Sequence, residues 1–269
     1  MKKKFENCPI CKSNNKKITF SYSKKPLCET DFNIFKNGYS RHYFECLSCT
    51  HWYSNINLNL DVFYSEEYNK KTYKNSLLKT FNKIKNLKKK NSDNYFRVKR
   101  IEKFIKKNLK VAPKLLDIGS GIGIFPYEIK KLGWKCKAND PSLVTIHHLK
   151  KNLELDTLYG DFLKINKIEK FNIITLNKVL EHVKNPNKFL NKAKKFLTKD
   201  GYMYLELPDI EKAKRISKNR EEFTIEHIHG FTKKSIFTLL KKCNLKVLKF
   251  DKIYEPSTKY TSYVFCKKD

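Results

Sequence analysis

Two pairs of cysteines lie in the amino-terminal part of the chain, each with two residues between its members. The four thiols belong to Cys8, Cys11, Cys46 and Cys49, in Cys-Pro-Ile-Cys and Cys-Leu-Ser-Cys. Two such pairs in a reduced protein indicate metal ligands rather than disulfides, because each pair can aim two thiolates at one ion. Four thiolates complete a tetrahedral zinc shell and leave no open position for a substrate. The sequence therefore predicts a structural Zn²⁺ site. Two alternatives stay open: unrelated reduced pairs, or His42 or His51 in place of one thiolate.

A glycine-rich turn interrupts the apolar sequence Leu115-Leu-Asp-Ile-Gly-Ser-Gly-Ile-Gly-Ile-Phe125. Its glycines are Gly119, Gly121 and Gly123. They follow Asp117 at the end of a predicted buried strand, and such a turn brings backbone N–H groups close to a ligand at the start of the next helix. The spacing is GxGxG, since Ile124 stands where a dinucleotide fingerprint would have its third glycine. The turn predicts a cofactor site, with tight strand-to-helix packing as the alternative.

Acidic residues follow the next two predicted strands. Asp140 stands 23 positions after Asp117, and Asp161 lies in Gly160-Asp-Phe162. A carboxylate at the first position can accept hydrogen bonds from both hydroxyls of a ribose, as it does in dinucleotide folds about 20 residues further on. We therefore expect Asp140 to bind a ribose. For Asp161, capping of a loop stays open as the alternative.

Three histidines are candidates for proton transfer. His182 lies in Leu-Glu-His-Val, and His227 and His229 lie in Glu-His-Ile-His-Gly-Phe. His182 follows a predicted strand directly, at the carboxyl edge where open sheets bind their ligands. An imidazole with an ordinary pKa of about 6.5 can remove a proton from a hydroxyl at neutral pH. Each histidine is a candidate general base, and a hydrogen-bonded structural role stays open for each.

From residue 111 onward, short apolar runs alternate with amphipathic segments that must position these groups. The predicted strands are 114–118, 135–139, 157–159, 172–176, 202–206, 246–251 and 260–266, and the predicted helices are 124–132, 141–152, 186–197 and 232–243. This alternation predicts an α/β fold with a mostly parallel sheet and helices on both faces. The last two strands lack an intervening helix, so we expect an antiparallel hairpin at one edge. Residues 212–224 do not fit the alternation and are expected to form an inserted cap or loop.

Residues 75–110 carry two amphipathic stripes. The first consists of Leu77, Phe81, Ile84 and Leu87, and the second of Val98, Ile101, Ile105 and Leu109 with Phe104 beside them. Their spacing predicts two helices that pack by one face and keep their lysines in solvent, which is favoured over an RNA-binding arm. The expected domains are a zinc-ribbon-like module over 1–58, a helical linker or cap over 59–110 and the sheet domain over 111–269.

Taken in order, the motifs resemble those of class I S-adenosylmethionine-dependent methyltransferases. Asp117-Ile-Gly-Ser-Gly121 is similar to the family's first motif, and Leu180-Glu-His-Val183 is similar to the end of its fourth-strand motif. The resemblance covers about residues 111–269 and implies a Rossmann-like methyltransferase sheet with an antiparallel last strand. A CxxC module ahead of such a domain is similar to zinc-containing methyltransferases of sugar and surface-polysaccharide pathways.

The resemblance also implies which residues hold S-adenosylmethionine. They are Asp117, Gly119, Gly121, Gly123, Asp140, Asp161, Phe162 and Asn177. In such a site Asp140 binds the ribose, Asp161 faces the exocyclic amine of adenine, and the apolar Phe162 covers the ring. Tyr64 and Tyr68 resemble a segment that closes over the cofactor, with simple packing as the alternative.

A second, catalytic metal is not expected. Quinone-pathway O-methyltransferases with a related motif place a metal-binding glutamate three positions before the Glu-His pair, and here Lys178 stands at that position before Glu181 and His182. An ammonium group repels a cation, so the lysine argues against metal binding there.

The charge of the chain admits an anionic partner without identifying it. The 269 residues contain 58 Lys+Arg and 27 Asp+Glu, a formal net charge of +31. Such a charge favours nucleic acid in general, but only five of the cations are arginines, the residues that read phosphates and bases best. Lysine here also accompanies the Asn, Ile, Phe and Tyr that AT-rich codons encode. No apolar run of about 18 residues occurs, so membrane insertion is not expected and the protein is predicted to be cytoplasmic.

These observations predict a transferase that moves a methyl group to a small, anionic molecule such as a nucleotide-linked sugar or a surface-polysaccharide precursor. Two alternatives stay open. One is an RNA base methyltransferase guided by the zinc module, and the other is a non-catalytic zinc-ribbon binding protein. The sequence does not give the methylated atom or the oligomeric state.

Overall fold

The computed structural model describes residues 7–29, 38–54, 56 and 77–269. Tyr64, Tyr68 and the expected boundary at residues 58 and 59 lie outside the described residues. No helix in the described part of the chain is long and apolar enough to cross a membrane.

The amino-terminal part forms a small antiparallel sheet. Its strands are β1 (Lys16–Tyr22), β2 (Arg41–Cys46) and β3 (Trp52–Ser54). We call residues 7–29 and 38–54 the ribbon. The sheet order is β1-β2-β3-β9, where β9 (His229–Gly230) comes from the far end of the chain. The ribbon sheet is therefore completed by a strand from the carboxyl-terminal part, and its independence as a domain stays a prediction.

Two helices connect the ribbon to the larger sheet. They are α1 (Leu77–Lys85) and α2 (Asp93–Asn108). Phe81 of α1 and Val98, Ile101 and Ile105 of α2 face inward as predicted, whereas Leu87 lies beyond the end of α1 and is 42% exposed. Ser92 caps α2 by accepting a hydrogen bond from the Tyr95 N–H, which satisfies one of the unpaired donors of the first turn.

The larger sheet has seven strands in the order β10-β11-β8-β7-β4-β5-β6. The strands are β4 (Lys114–Ile118), β5 (Lys135–Asp140), β6 (Asp156–Tyr159), β7 (Phe171–Asn177), β8 (Leu197–Pro208), β10 (Leu245–Tyr254) and β11 (Tyr260–Lys268). Strands β6 to β8 pair in parallel through β5, β4 and β7, whereas β11 is antiparallel to both β8 and β10. The predicted mostly parallel sheet with an antiparallel edge hairpin is confirmed.

The helices between the strands also agree with the sequence pattern. They are α3 (Ile124–Lys131), α4 (Leu143–Leu153), α5 (Pro186–Lys195), α6 (Ile210–Ile216) and α7 (Lys233–Lys242). Helix α6 and a 3-10 turn at Glu221–Phe223 fall largely in the segment expected to be an insert. The Phe223 ring packs on the ribbon, with centroids 4.9 Å from Phe20 and 5.9 Å from Trp52.

A buried ion pair fixes α2 to the sheet. The Arg97 guanidinium donates from Nε to both carboxylate oxygens of Glu206 on β8, at 3.0 and 2.9 Å. Burial works against ionisation of Glu206, but Arg97 prevails and lowers the pKa of this carboxyl to about 2. Removing one partner would leave an uncompensated buried charge, so the pair holds the helical linker against the sheet.

Candidate functional site

The glycine turn has the close backbone approach that its sequence predicts. Gly119 and Gly123 have φ values of +73° and +80°, which L side chains rarely adopt. A Cβ on Gly119 would lie 2.8 Å from Cγ2 of Val179, and one on Gly123 would lie 2.3 Å from Cδ2 of Leu149. The turn is therefore wedged between α4 and the segment after β7, and larger residues have no room there.

Asp117 is buried at the end of β4. Its Oδ1 accepts hydrogen bonds from Oγ1 of Thr175 at 2.7 Å and from Nδ2 of Asn177 at 2.9 Å. Burial raises the pKa of Asp117 to about 6 although these donors oppose the rise. Asn177 thereby turns its amide nitrogen inward, and its Oδ1 has no hydrogen-bond partner among the described residues.

Asp140 ends β5 and is bound from two sides. Its Oδ2 accepts from the Gly121 N–H at 3.0 Å, and its Oδ1 accepts from the Ser142 N–H at 2.9 Å. Burial raises the pKa of Asp140 to about 6. The carboxylate thus joins the glycine turn to the start of α4, at the position where the sequence expects a ribose.

The side chains of Asp161 and Phe162 have different surroundings. Asp161 caps a 3-10 turn, since its Oδ1 accepts from the Leu163 N–H at 2.9 Å. The Phe162 ring instead lies in the core, with centroids 5.4 Å from Phe189 and 6.0 Å from Phe196. This packing argues against the expectation that the ring covers adenine, which stays a prediction.

An exposed apolar side chain near Asp140 is an alternative candidate to cover the adenine ring. Leu143, the first residue of α4, is 48% exposed although it directly follows Ser142, which Asp140 binds. Sequence reasoning missed it. The available signal was an apolar residue in the first turn of a helix at the carboxyl edge of the sheet.

Glu181, His182 and His227 meet at the end of β7. One ligand atom from each lies within 4.8 Å of the others, and the His182 and His227 ring centroids are 4.7 Å apart. The Nδ1 of His182 lies 2.9 Å from the Glu226 carbonyl oxygen. A carbonyl can only accept, so Nδ1 carries the hydrogen and Nε2 carries the lone pair of the neutral ring.

Burial determines the charge state of this cluster. It lowers the pKa of His182 to about 4 and that of His227 well below the usual range, so both rings are neutral at physiological pH. It raises the pKa of Glu181 to about 8, and neither carboxyl oxygen has a hydrogen-bond partner among the described residues. A neutral imidazole beside an unpaired carboxyl can accept a proton from a bound hydroxyl.

His229 does not join this cluster. It is 2% exposed, and its Nδ1 lies 3.0 Å from Nε2 of His51 in the ribbon. The enclosed ring and its contact with another imidazole argue against His229 as a third base, which stays a prediction.

Lys178 lies beside the cluster in a strained conformation. Its φ is +57°, which is uncommon for a residue with a Cβ. The ammonium forms a 2.7 Å ion pair with Glu255, and with Lys259 it opposes the raised pKa of Glu181. The expectation of no catalytic metal rests on this lysine and stays a prediction, since the three clustered side chains are of types that can bind metals.

The four cysteines form a second cluster, in the ribbon. Cys8 and Cys49 are 3.6 Å apart between sulfurs, and Cys11 and Cys46 are 3.5 Å apart. All four sulfurs lie within 4.8 Å of one another. An ion bound about 2.3 Å from each sulfur in a tetrahedron requires sulfur–sulfur distances of about 3.8 Å. The cluster therefore fits a zinc ion.

The ribbon also supplies residues to the cluster at β7 that the sequence did not reveal. The Tyr43 hydroxyl donates to the main-chain carbonyl of His227, and the Thr224 carbonyl lies 3.3 Å from the same hydroxyl. Tyr43 and His227 are 184 residues apart in sequence. No spacing signal links such residues, so pattern reasoning had no means to find the contact.

Comparison with known proteins agrees with the fold. The family described as "Methyltransferase domain" matches residues 87–249, which is more than half of the chain. Among solved structures, the glycopeptide N-methyltransferase MtfA complexed with S-adenosyl-L-methionine superposes with a TM-score of 0.53 at 12% identity, over 64% of this chain and 94% of that one. A S-adenosylmethionine-dependent methyltransferase from Clostridium acetobutylicum ATCC 824 gives 0.53 at 14% identity, over 76% and 99%. The predicted Rossmann-like methyltransferase fold is confirmed.

Curated relatives match a shorter stretch. The ubiquinone biosynthesis O-methyltransferase of Glaesserella parasuis serovar 5 (strain SH0165) is 38% identical over 104 residues, 34% of this chain and 44% of that protein. The mitochondrial enzyme of the same name from Schizosaccharomyces pombe (strain 972 / ATCC 24843) is 34% identical over 97 residues, 33% and 35%. The chain thus spans less than half the length of these relatives, and they are named for ubiquinone biosynthesis rather than for the predicted sugar pathways. Because the family model matches more than half of the residues, the chain belongs to the methyltransferase-domain family.

Proposed function

We propose that this protein transfers the methyl group of S-adenosylmethionine to an oxygen of a small, anionic acceptor. The observation that carries the proposal is the buried Asp140 carboxylate, which holds the glycine turn by the Gly121 N–H and stands at the end of β5. In this proposal Asp140 binds the ribose, and Asp161 faces the adenine amine. The turn and the Asp117–Asn177 pair bind the amino-acid end. The bound sulfonium supplies an electrophilic methyl group, so the protein has only to align an acceptor and remove its proton.

His182 is the proposed proton acceptor. Its Nδ1–H is held by the Glu226 carbonyl, so the lone pair of the neutral ring is on Nε2. Burial lowers the pKa of His182 to about 4, so the ring is unprotonated at neutral pH but is a weaker base than an exposed imidazole. His227 stands beside it as the second candidate. A histidine base suits a hydroxyl acceptor, and the O-methyltransferase names of the curated relatives support oxygen as well.

The charges around the cluster favour an anionic acceptor. Lys178 and Lys259 both oppose the raised pKa of Glu181, so two ammonium groups act on the cluster, although each is also paired with a carboxylate, Glu255 and Glu221 respectively. A phosphate or carboxylate on the acceptor would be attracted there. The nucleotide-linked sugar or surface-polysaccharide precursor predicted from the sequence is the finer form of this proposal.

RNA is a weaker acceptor on structural grounds. Four of the five arginines are used in ion pairs inside the protein: Arg41 with Glu29, Arg97 and Arg100 with Glu206, and Arg220 with Glu222. Arginines that neutralise internal carboxylates do not serve as phosphate or base readers.

The four ribbon cysteines are proposed to hold a structural zinc ion. The main support is the sulfur geometry, together with the two tight turns in which the Lys12 and Thr50 N–H groups bond to the Cys8 and Cys46 carbonyls. A zinc ion with four thiolate ligands has no open position, so its role would be to hold the ribbon together.

The test is an assay of S-adenosylhomocysteine release with three acceptor classes: nucleotide-diphosphate sugars, ortho-dihydroxyphenols and total RNA. We expect turnover with a small molecule and none with RNA. His182→Gln should reduce turnover by about 100-fold, whereas the exposed His147→Gln should not. Methylation of RNA alone would support the guided RNA enzyme, and absence of transfer to any acceptor would support a binding protein.

A further inference from the structure

The ribbon is joined to the proposed acceptor site by main-chain pairing. Strand β3 pairs with β9 through Trp52 opposite Gly230 and Tyr53 opposite His229. The Ser54 N–H donates to the Ile228 carbonyl at 3.0 Å. Residues 228–230 therefore continue the ribbon sheet, and they directly follow Glu226 and His227 of the proposed site.

A side-chain bond reinforces this pairing. His51 Nε2 and His229 Nδ1 are 3.0 Å apart, and the two residues are 0% and 2% exposed. The His51 carbonyl accepts the Cys46 N–H at 2.8 Å. His51 therefore contacts both a cysteine of the cluster and His229. Because both rings are closed to solvent, a hydrogen bond to water cannot replace the bond between them, so its loss is costly.

His229 in turn holds the segment that carries His182. The main-chain N–H of His229 donates to the Glu181 carbonyl at 3.0 Å, so the backbone at 229 is bonded to the residue directly before His182. The bond from His182 to the Glu226 carbonyl and the bond from the His229 N–H to the Glu181 carbonyl both involve residues 226–229. His51 contacts the same segment through the His229 ring.

We propose that His229, held by His51, is a positioning residue that fixes the ring of His182 in the tautomer with hydrogen on Nδ1. The inference rests on the proposed function for its catalytic consequence, but not for its structural one. In this proposal the ribbon orients the base of the acceptor site. The glycine turn binds the cofactor independently of the ribbon.

The experiment compares His229→Phe with His229→Asn. Phenylalanine keeps the ring and loses both nitrogens, whereas the asparagine amide can pair with His51 Nε2 whichever group donates. We expect His229→Phe to lower kcat by about tenfold or more and to leave the affinity for S-adenosylhomocysteine within about twofold, because a misplaced catalytic group costs rate and not cofactor binding. His229→Asn should restore kcat to within about threefold of the wild type. An unchanged kcat in His229→Phe, or an equal loss in both variants, would overturn the proposal.

A readout independent of turnover separates this proposal from the proposed function. Nitrogen NMR of the imidazoles should show His182 as a single Nδ1–H tautomer in the wild type and in His229→Asn, and as a tautomer mixture in His229→Phe. His51→Phe should give the same mixture, and His51→Phe/His229→Phe no further change, because both residues act through one bond. A single unchanged tautomer in every variant would contradict the positioning role even if methyl transfer were never detected. Failure to detect transfer with an altered tautomer would instead contradict only the proposed function.

Discussion

The cofactor half and the acceptor half of the site are built in different ways. In the cofactor half, residues 114–163 with Thr175 and Asn177, the bonds of Asp140 and Asp117 span between 2 and 60 residues. In the acceptor half, formed by the ribbon with residues 178–182 and 224–231, the bonds from Tyr43 to His227 and from His51 to His229 span 184 and 178 residues. Local bonds form a motif that spacing reveals, whereas long-range bonds depend on the whole fold. The two halves should therefore respond separately to substitution.

The largest expected effect concerns the cysteine cluster. Cys46→Ser removes one of four ligands, so bound zinc should fall from about one ion per chain to nearly none. Methyl transfer should be lost with it, since the ribbon holds the acceptor half. Metal analysis and turnover are the measurements, with the exposed Cys28→Ser as the matched control. Full zinc content and full turnover in Cys46→Ser would break the proposed link between the cluster and the acceptor half.

The next largest effect separates the cofactor half. Asp140→Ala removes the carboxylate proposed to bind the ribose, and hydrogen bonds to a charged group are worth about 1.5–3 kcal/mol each, so binding of S-adenosylhomocysteine should weaken by about 100-fold. Calorimetry measures this. Asp156→Ala, at the start of the neighbouring strand β6 and paired with Lys137 on the surface, should leave binding unchanged. Equal affinities for both variants would remove Asp140 from the cofactor site.

A smaller effect tests the buried carboxyl of the acceptor half. Burial raises the pKa of Glu181 from 4.5 to about 8, so between these values the folded protein holds a proton that the unfolded chain has released. Rising pH therefore favours unfolding across this window, and stability is lost as the pH approaches 8. Gln resembles the protonated carboxyl at every pH. Glu181→Gln should raise Tm by roughly 5 °C or more at about pH 9 and have little effect at about pH 5.

Calorimetric scans at the two pH values measure the difference. Glu128→Gln is the control, because Glu128 forms a surface pair with Lys131. If Glu181→Gln changes Tm relative to the wild type by the same amount at both pH values, the carboxyl is not protonated in the folded state.

The smallest effects distinguish two apolar residues of the cofactor half. Leu143→Ala removes an exposed side chain beside the Asp140 site and should weaken binding of S-adenosylhomocysteine by about fivefold. Phe162→Leu should leave binding unchanged and lower stability by about 1 kcal/mol, since its ring packs in the core. Titration and thermal unfolding of both variants check this. The reverse pattern would restore Phe162 to the adenine site.

The sequence predicted the sheet and the backbone of the glycine turn for a physical reason. Alternating apolar runs and amphipathic segments set the strands and helices, and the glycines at 119 and 123 admit a backbone approach that no side chain allows. The core packing of Phe162 could not be predicted, because an apolar residue after a strand can turn to either side, and only the positions of Phe189 and Phe196 decide which.

The acceptor half was predicted only in its parts. The spacing of the cysteines indicated a metal cluster, and His182 and His227 were identified as candidate bases. Nothing in the sequence shows that β9 joins the ribbon sheet, or that the buried His51 ring contacts the His229 ring. Such contacts follow from two distant segments packing together, so pairwise spacing carries no trace of them.

The central claim is that the domain binds S-adenosylmethionine through the glycine turn and Asp140. Calorimetric titration of the wild-type protein with S-adenosylhomocysteine tests it most directly. We expect binding of one molecule per chain with a micromolar dissociation constant. Absence of binding at millimolar ligand would contradict it.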